Sequence, residues 1–322
     1  MKFRHLALVL GFGLIGLNAL AQNYPNRSIR LIVPFPAGGA TDLLARAISQ
    51  KLGSQLGQTV LVDNKAGAGG SLGSSEGAKA APDGYTLVLT TSSTHAIGPH
   101  LNPRLPYKVD EDFTPVAHVA NAANVVLVPN SLPVKDVREL IALVKSKPGQ
   151  FNYASSGNGT IVHLTSEAFK TQAHVFITHI PYRGTGLAVP DLVVGNVHLL
   201  FDSIVSGMPH VKEGRLKALA VTGKSRSALA PELPTVAESG LPGFESITWF
   251  GVYGPKGLPP AVVAKLNSEL NIAMQSPEVR ERLARLGAEP VSNASPAQFA
   301  AMVKADSERW GRLIRERKIS VE

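Results

Sequence analysis

The sequence predicts an α/β protein of two lobes, each a mainly parallel sheet flanked by helices, joined at two crossovers. Three observations carry that reading. Strand-like and helix-like runs alternate for most of the chain, which is the grammar of βα units. One strand–glycine loop–helix module occurs twice, about 120 residues apart. The last third is mostly helical and has to pack against something that precedes it.

The first module is "RLIVPFPAGGATDLLARA". A strand over Ser28 to Phe35 meets a Pro/Gly loop, and Thr41 to Leu56 then carries Leu43, Leu44, Ala47, Ile48, Leu52 and Leu56 at helical spacing. Val60 to Val62 and Tyr85 to Thr91 read as further strands, separated by the loop "KAGAGGSLG" and a small-residue helix. After a helix marked by Val137, Leu140, Ile141 and Val144, the second module begins. Phe151 to Ser155 is a strand, and "SSGNGTIVHLTSEAF" is a glycine loop that opens a helix. Strands follow at Val175 to Tyr182, Val197 to Asp202 and Leu216 to Val221. Helices are expected at Pro260 to Gln275, Pro277 to Leu286 and Pro296 to about Arg315. Crossovers near Ala120 to Val126 and Val221 to Ser225 divide the chain. Residues 22–122 and 224–322 form the first lobe and 123–223 the second.

Residues 1–21 read as a cleaved secretory signal. Lys2, Arg4 and His5 precede an apolar stretch from Leu6 to Leu17, and Ala19-Leu20-Ala21 supplies the small-x-small cleavage pattern. That stretch is shorter than the roughly 20 residues a membrane span requires. The chain has no cysteine, which excludes disulfides, thiolate metal sites and lipid attachment at an N-terminal cysteine. A soluble, untethered protein outside the cytoplasm is expected. The formal charge of +8 is spread over scattered Lys and Arg rather than gathered among aromatics, so nucleic acid is not the expected partner.

Two chemistries compete for the loops. Either each is a plain βα turn, or the two form an anion site. The first N–H groups of a helix have no intrahelical partner, and the helix dipole makes that end positive. Small residues there let a ligand reach the backbone. Gly38, Gly39 and Ala40 meet this description at the first helix, and Gly157, Gly159 and Thr160 at the second. Two such ends facing each other across two lobes would clamp a carboxylate. Thr91, Ser92, Thr94 and His95, then Tyr182-Arg183-Gly184, then Asp202-Ser203 stand at other strand ends, where ligands of open α/β sheets bind.

Catalytic signatures are missing or broken. There is no glycine-x-serine-x-glycine elbow. "ALAVTGKS" has Ala218 where a P-loop requires glycine, and "GAGGSLG" has Leu72 at the last glycine of a dinucleotide fingerprint. The nine histidines show no metal-binding spacing. No catalytic residue, metal or cofactor is expected. An enzyme acting on a small carboxylate would have to draw its acid or base from Asp42, His95, His163 or Asp202. A ligand sensor docking to a signalling partner would share the receptor's cleft.

The chain resembles the extracytoplasmic solute receptors of tripartite tricarboxylate transporters, the Bug receptors. The resemblance runs through "YPNRSIRLIVPFPAGGATD", "VLVDNKAGAGGSLG", "APDGYTLVL" and "PNSLPVKDVRELIALVKSKPGQFNYASSGNGT". It continues in "HIPYRGTGLAVPDLVVGNVHLLFDS", "LKALAVTGKSRSALAPELPTVAESGLPGF" and "LGAEPV". It implies a type II-like periplasmic-binding-protein fold that closes on its ligand, a small organic carboxylate, and delivers it to the transporter's membrane subunits as a monomer. Carried onto this chain, the first pincer is Phe35, Pro36, Ala37, Gly38 and Gly39. The second runs from Ser155 through Gly157, Gly159 and Thr160 to Ile161. Ser92, Thr94, Tyr182 and Asp202 are implied as pocket or water-anchoring positions. Ala37 replaces a common proline, and Ile161-Val162 replaces common small polar residues. The second departure favours a ligand with an apolar or aromatic body.

Overall fold

A computed structural model describes residues 24–317 and 319; the expected signal segment at residues 1–21 lies outside them. The first sheet starts from β1 (Ile29–Val33), whose Leu31, Ile32 and Val33 are all buried. Such an apolar run suits a strand covered on both faces. β1 lies between β2 (Val60–Asn64) and β3 (Thr86–Thr91), parallel to both. β9 (Ile247–Pro255) is antiparallel to β3 and then to β4 (Phe113–Pro129), and the short β10 (Glu289–Pro290) pairs on β4.

β4 joins the two lobes. Phe113 to Ala123 pair with β9, ending at Ala123 opposite Ile247; from Asn124 onward the strand pairs with β7 (Leu199–Ser203) and β8 (Leu216–Val221). β5 (Asn152–Ser155) runs parallel to β7 and to β6 (Thr178–Pro181). Each sheet is therefore mainly parallel; the contrary strands are β9 and the two-residue β10 in the first lobe and β4 in the second.

A buried polar knot holds the point where the strands change lobes. The Thr222 hydroxyl accepts from Asn124 N at 2.8 Å and donates to Ser246 O at 2.6 Å, while Thr222 N donates to Asn124 O at 2.8 Å. The Ser246 hydroxyl meets Thr165 at 2.6 Å. Backbone leaving one sheet for another loses ladder partners, and buried groups require replacements. Between Thr222 and Ser246 the chain packs Val236, Leu241 and Phe244 into the second lobe's core, beside Tyr153, Phe169 and Phe201.

The helices cover the sheets as their apolar spacing dictates. Helix Ala40–Leu56 buries Leu44, Ala45, Ala47, Ile48, Leu52 and Leu56 and ends at Gly57, whose φ of 66° admits the left-handed cap. Helices Pro260–Gln275, Pro277–Leu286 and Pro296–Arg317 return to the first lobe, where Leu266, Leu283, Phe299 and Trp310 join its core. Among the described residues, no helix is long and apolar enough to cross a membrane.

Candidate ligand-binding cleft

A cavity of about 70 Å³ lies between the lobes, at the carboxyl ends of the sheet strands. That is room for a few waters or one carboxylate group, so the lobes stand closed. Four helices start at its wall. Ala40 and Thr41 open one, Ile161 and Val162 a second, Thr185 and Gly186 a third, and Ser203 caps a fourth at Ile204–Lys212. Among the described residues, no lysine, arginine or histidine lines the cavity, and Asp202 is its one ionisable group. Any positive potential there is supplied by helix ends, about half a charge each.

In the first module, Phe35, Pro36, Ala37 and Gly39 line the cavity. Gly38 does not: its φ of +81° turns the chain, and its N–H donates to the buried Asp42 carboxylate at 2.9 Å. Arg46 Nε on the same helix also donates to both Asp42 oxygens at 3.0 Å, which fixes the carboxylate that holds the loop. The first intrahelical bond runs from Leu43 N to Gly39 O, which leaves the N–H groups of Ala40 and Thr41 beside the cavity.

The second module reaches the cavity through Ser156, Ile161 and Val162. Ser155, Gly157, Gly159 and Thr160 lie behind this wall and hold the loop in shape. Gly157 N donates to Ser155 Oγ at 3.1 Å, Gly159 N to His163 Nδ1 at 3.2 Å, and His163 N to the Thr160 hydroxyl at 3.4 Å. Behind them the His163 and His179 rings stack at 4.2 Å with 8° between their planes, and Tyr153 stacks on His179 at 4.8 Å. His179 Nε2 meets Ser155 Oγ at 2.6 Å. Burial pushes both imidazoles down to about 4, so the pair is neutral near pH 7. Because Gly159 N–H donates to His163 Nδ1, that nitrogen is the unprotonated one.

The lobes touch at three places around the cavity. Ile161 N donates to Ser93 Oγ at 2.9 Å. A Cβ on Gly184 would fall 2.7 Å from Pro36 Cγ, and one on Gly69 would fall 2.8 Å from Asn158 O. These two contacts require glycine.

Asp202 stands at the end of β7 and is almost completely buried. Its Oδ1 accepts from Ser203 N at 2.9 Å; its Oδ2 has no hydrogen-bond partner. Burial pushes this acid up to about 6, against the lowering effect of the nearby Ser206 and Thr185 hydroxyls and of Ser203 N.

The other expected positions lie outside the cavity wall. Ser92 is buried and its hydroxyl is unpartnered. Thr94 donates to Thr91 O at 3.2 Å, and Tyr182 donates to Asp191 at 2.6 Å. His95 faces away into the rings of Phe113 and Tyr253, each 4.6 Å off, and burial lowers its pKa to about 3. Thus Asp42, His95, His163 and Asp202 do not form one acid–base group: only Asp202 reaches the cavity. Ser93, Asn124, Thr185, Ser206, Thr248 and Phe250 line it without having been singled out as ligand-binding residues. Thr185 had a readable signal, since it follows Gly184 at a third strand–glycine–helix start. The others had none.

The two lobes, the crossover strands and the cleft between helix ends define a periplasmic-binding-protein fold. The chain belongs to the family described as tripartite tricarboxylate transporter family receptor, which matches residues 44–319. Protein BugT of Bordetella pertussis is 41% identical over 297 residues, covering 92% of this chain and 91% of BugT. Among solved structures, the periplasmic binding protein BugD superposes with a TM-score of 0.88 at 34% identity, over 92% of this chain and 99% of that one. Rpa4515 of R. palustris, solved with adipate, gives 0.90 at 36% identity over 92% and 99%. MatC of Rhodopseudomonas palustris, with bound malate, gives 0.86 at 36% identity over 90% and 100%.

Proposed function

We propose that this chain is a periplasmic receptor that closes on one small organic carboxylate and passes it to the membrane subunits of a tripartite transporter. The observation that carries the reading is the pair of helix starts, one from each lobe, opening on a cavity with no cationic side chain. The N–H groups of Ala40 and Thr41 and that of Val162 open on the same cavity, while the Ile161 N–H holds the Ser93 hydroxyl at its edge; a carboxylate there receives charge-assisted hydrogen bonds from both lobes. Phe35, Ala37, Gly39, Ile161 and Val162 supply the apolar wall for the ligand's body. Carboxylates bound to structurally similar relatives, adipate and malate, support the same class.

No bond is made or broken in this account. The lobes part at the Asn124–Thr222–Ser246 knot to admit the ligand, and the ligand shifts the population toward the closed form. The receptor acts outside the cytoplasm as a monomer, after loss of residues 1–21. Calorimetric titration with mono- and dicarboxylates of three to six carbons tests the reading: one-to-one binding of at least one acid, and no turnover of it, is expected. Failure of every acid to bind or to raise the melting temperature would contradict it.

A further inference from the structure

We infer that Asp202 is the specificity-determining residue of the cleft: it takes the ligand's second carboxyl group through a shared proton, so a dicarboxylate binds with uptake of one proton. This rests on the receptor reading above and goes beyond it by fixing the ligand's second group and its protonation.

The cavity of about 70 Å³ holds one carboxylate group, so a dicarboxylate that reaches Asp202 seats with the lobes parted further. Asp202 lines the cavity and is buried, and its Oδ2 accepts no hydrogen bond of good geometry, with only the rotatable Ser206 and Thr185 hydroxyls nearby. A buried oxygen without a partner costs about 1–3 kcal/mol, more when charged, so a ligand that satisfies it gains by that amount. The four helix starts offer partial positive charge to a first carboxylate, but they cannot place a hydrogen between two carboxylate oxygens. Two such groups in contact in a dry site hold one proton between them and titrate as a pair.

Nothing charged competes for that proton. Beside Asp202 stand Ser203 on its own strand, Thr185 on helix Thr185–Val194 and Ser206 on helix Ile204–Lys212; Asn124, Thr248 and Phe250 line the same cavity. The ionisable residues of the packed elements are engaged elsewhere. Asp191 takes Tyr182 and Asn196; Glu167 takes Lys170 and Tyr153; Asp42 takes Arg46. His163 stacks on His179, and His210 lies in the last turn of its helix, away from the cavity. Lys212 lies in the last turn of its helix, opposite the end that starts at the cavity. Burial raises the unliganded acid to about 6.

The test is calorimetric titration of the mature chain with succinate, adipate and hexanoate from pH 5.5 to 8, each in two buffers of different ionisation heat. The proposal expects a dicarboxylate to bind more weakly by about tenfold per pH unit above pH 6–7, with close to one proton taken up per ligand at pH 8. Asp202→Asn should keep dicarboxylate binding while losing the pH dependence and the proton uptake. If that variant does not fold, the buffer dependence of the wild-type heat decides alone. Dicarboxylate binding with no proton uptake and a flat pH profile would overturn the proposal. So would binding of hexanoate with neither dicarboxylate bound at pH 5.5, an outcome that leaves the receptor reading standing. If none of the three acids, nor any other carboxylate, binds at any pH, the receptor reading falls and this inference with it.

Discussion

The backbone N–H of Ile161 donates to the Ser93 hydroxyl across the cleft at 2.9 Å, from the first residue of a second-lobe helix to the turn after β3 in the first lobe. It is a direct hydrogen bond between the lobes beside the cavity, and it uses an amide expected to hold the ligand. Ser93 Oγ accepts this bond and has its own hydrogen left to donate. In the proposed liganded form that hydroxyl is placed to donate to the carboxylate.

Ser93→Ala should therefore weaken carboxylate binding by about tenfold or more, the loss of one hydrogen bond to a charged group. Titration calorimetry on the folded variant measures it. Affinity equal to wild type would mean that Ser93 serves only the empty closed form.

The Pro36–Gly184 contact gives a steric prediction. A Cβ at Gly184 meets Pro36 Cγ at 2.7 Å, and the φ of +112° is one that other residues rarely adopt. Gly184→Ala should hold the lobes apart, lower ligand affinity at least tenfold and cost about 1–3 kcal/mol of stability from backbone strain. Small-angle scattering with saturating ligand should show a larger radius of gyration than for wild type. Full closure in the variant would refute the account of this seam.

The two modules that open the cleft were legible because a strand, a glycine loop and an apolar-periodic helix each leave a local pattern. β4 was not. "FTPVAHVANAANVVLVP" mixes small and polar residues where it changes sheets, and its exchange of β9 for β7 and β8 is a tertiary event with no local period. Ser93 was passed over for Ser92 and Thr94 because the chain leaves β3 through a wide five-residue turn, Ser93 to Ile97. That turn resets the side-chain phase, so neither the strand period nor the helix period assigns the cleft-facing residue. The amides of Gly38, Gly157 and Gly159 illustrate a different limit. Sequence locates an amide near a helix start, but whether a neighbour such as Asp42, Ser155 or His163 already occupies it is set by packing.

Acid should loosen the second module. The folded pKa of His163 and of His179 is about 4, below the unfolded value of 6.5. Between those values the unfolded chain binds protons that the native chain does not, so this contribution to stability is lost as pH falls from 6.5 to about 4 and changes no further below. Asp202, raised to about 6, works in the opposite direction as pH falls from 6 toward 3.8. The difference between proteins isolates the histidines: His163→Gln should show a shallower fall in melting temperature from pH 6.5 to 4 than wild type. An unchanged slope would contradict the assignment.

The knot between the lobes predicts a stability change. Thr222→Val would leave Asn124 N and Ser246 O without the hydroxyl that each now uses, both in buried surroundings. The expected loss is about 3 kcal/mol in urea unfolding, with the denaturant slope unchanged. A loss under about 0.5 kcal/mol would show that the lobes do not depend on this hydroxyl.

The central claim is that main-chain N–H groups from both lobes grip one carboxylate, and amide NMR shifts during titration with a bound acid test it most directly. The account predicts that the ¹H resonances of Ala40, Thr41 and Val162 move downfield together and saturate at one equivalent. Saturating shifts confined to one lobe, or centred on the separate groove lined by His95, Lys108 and Ser307, would contradict it.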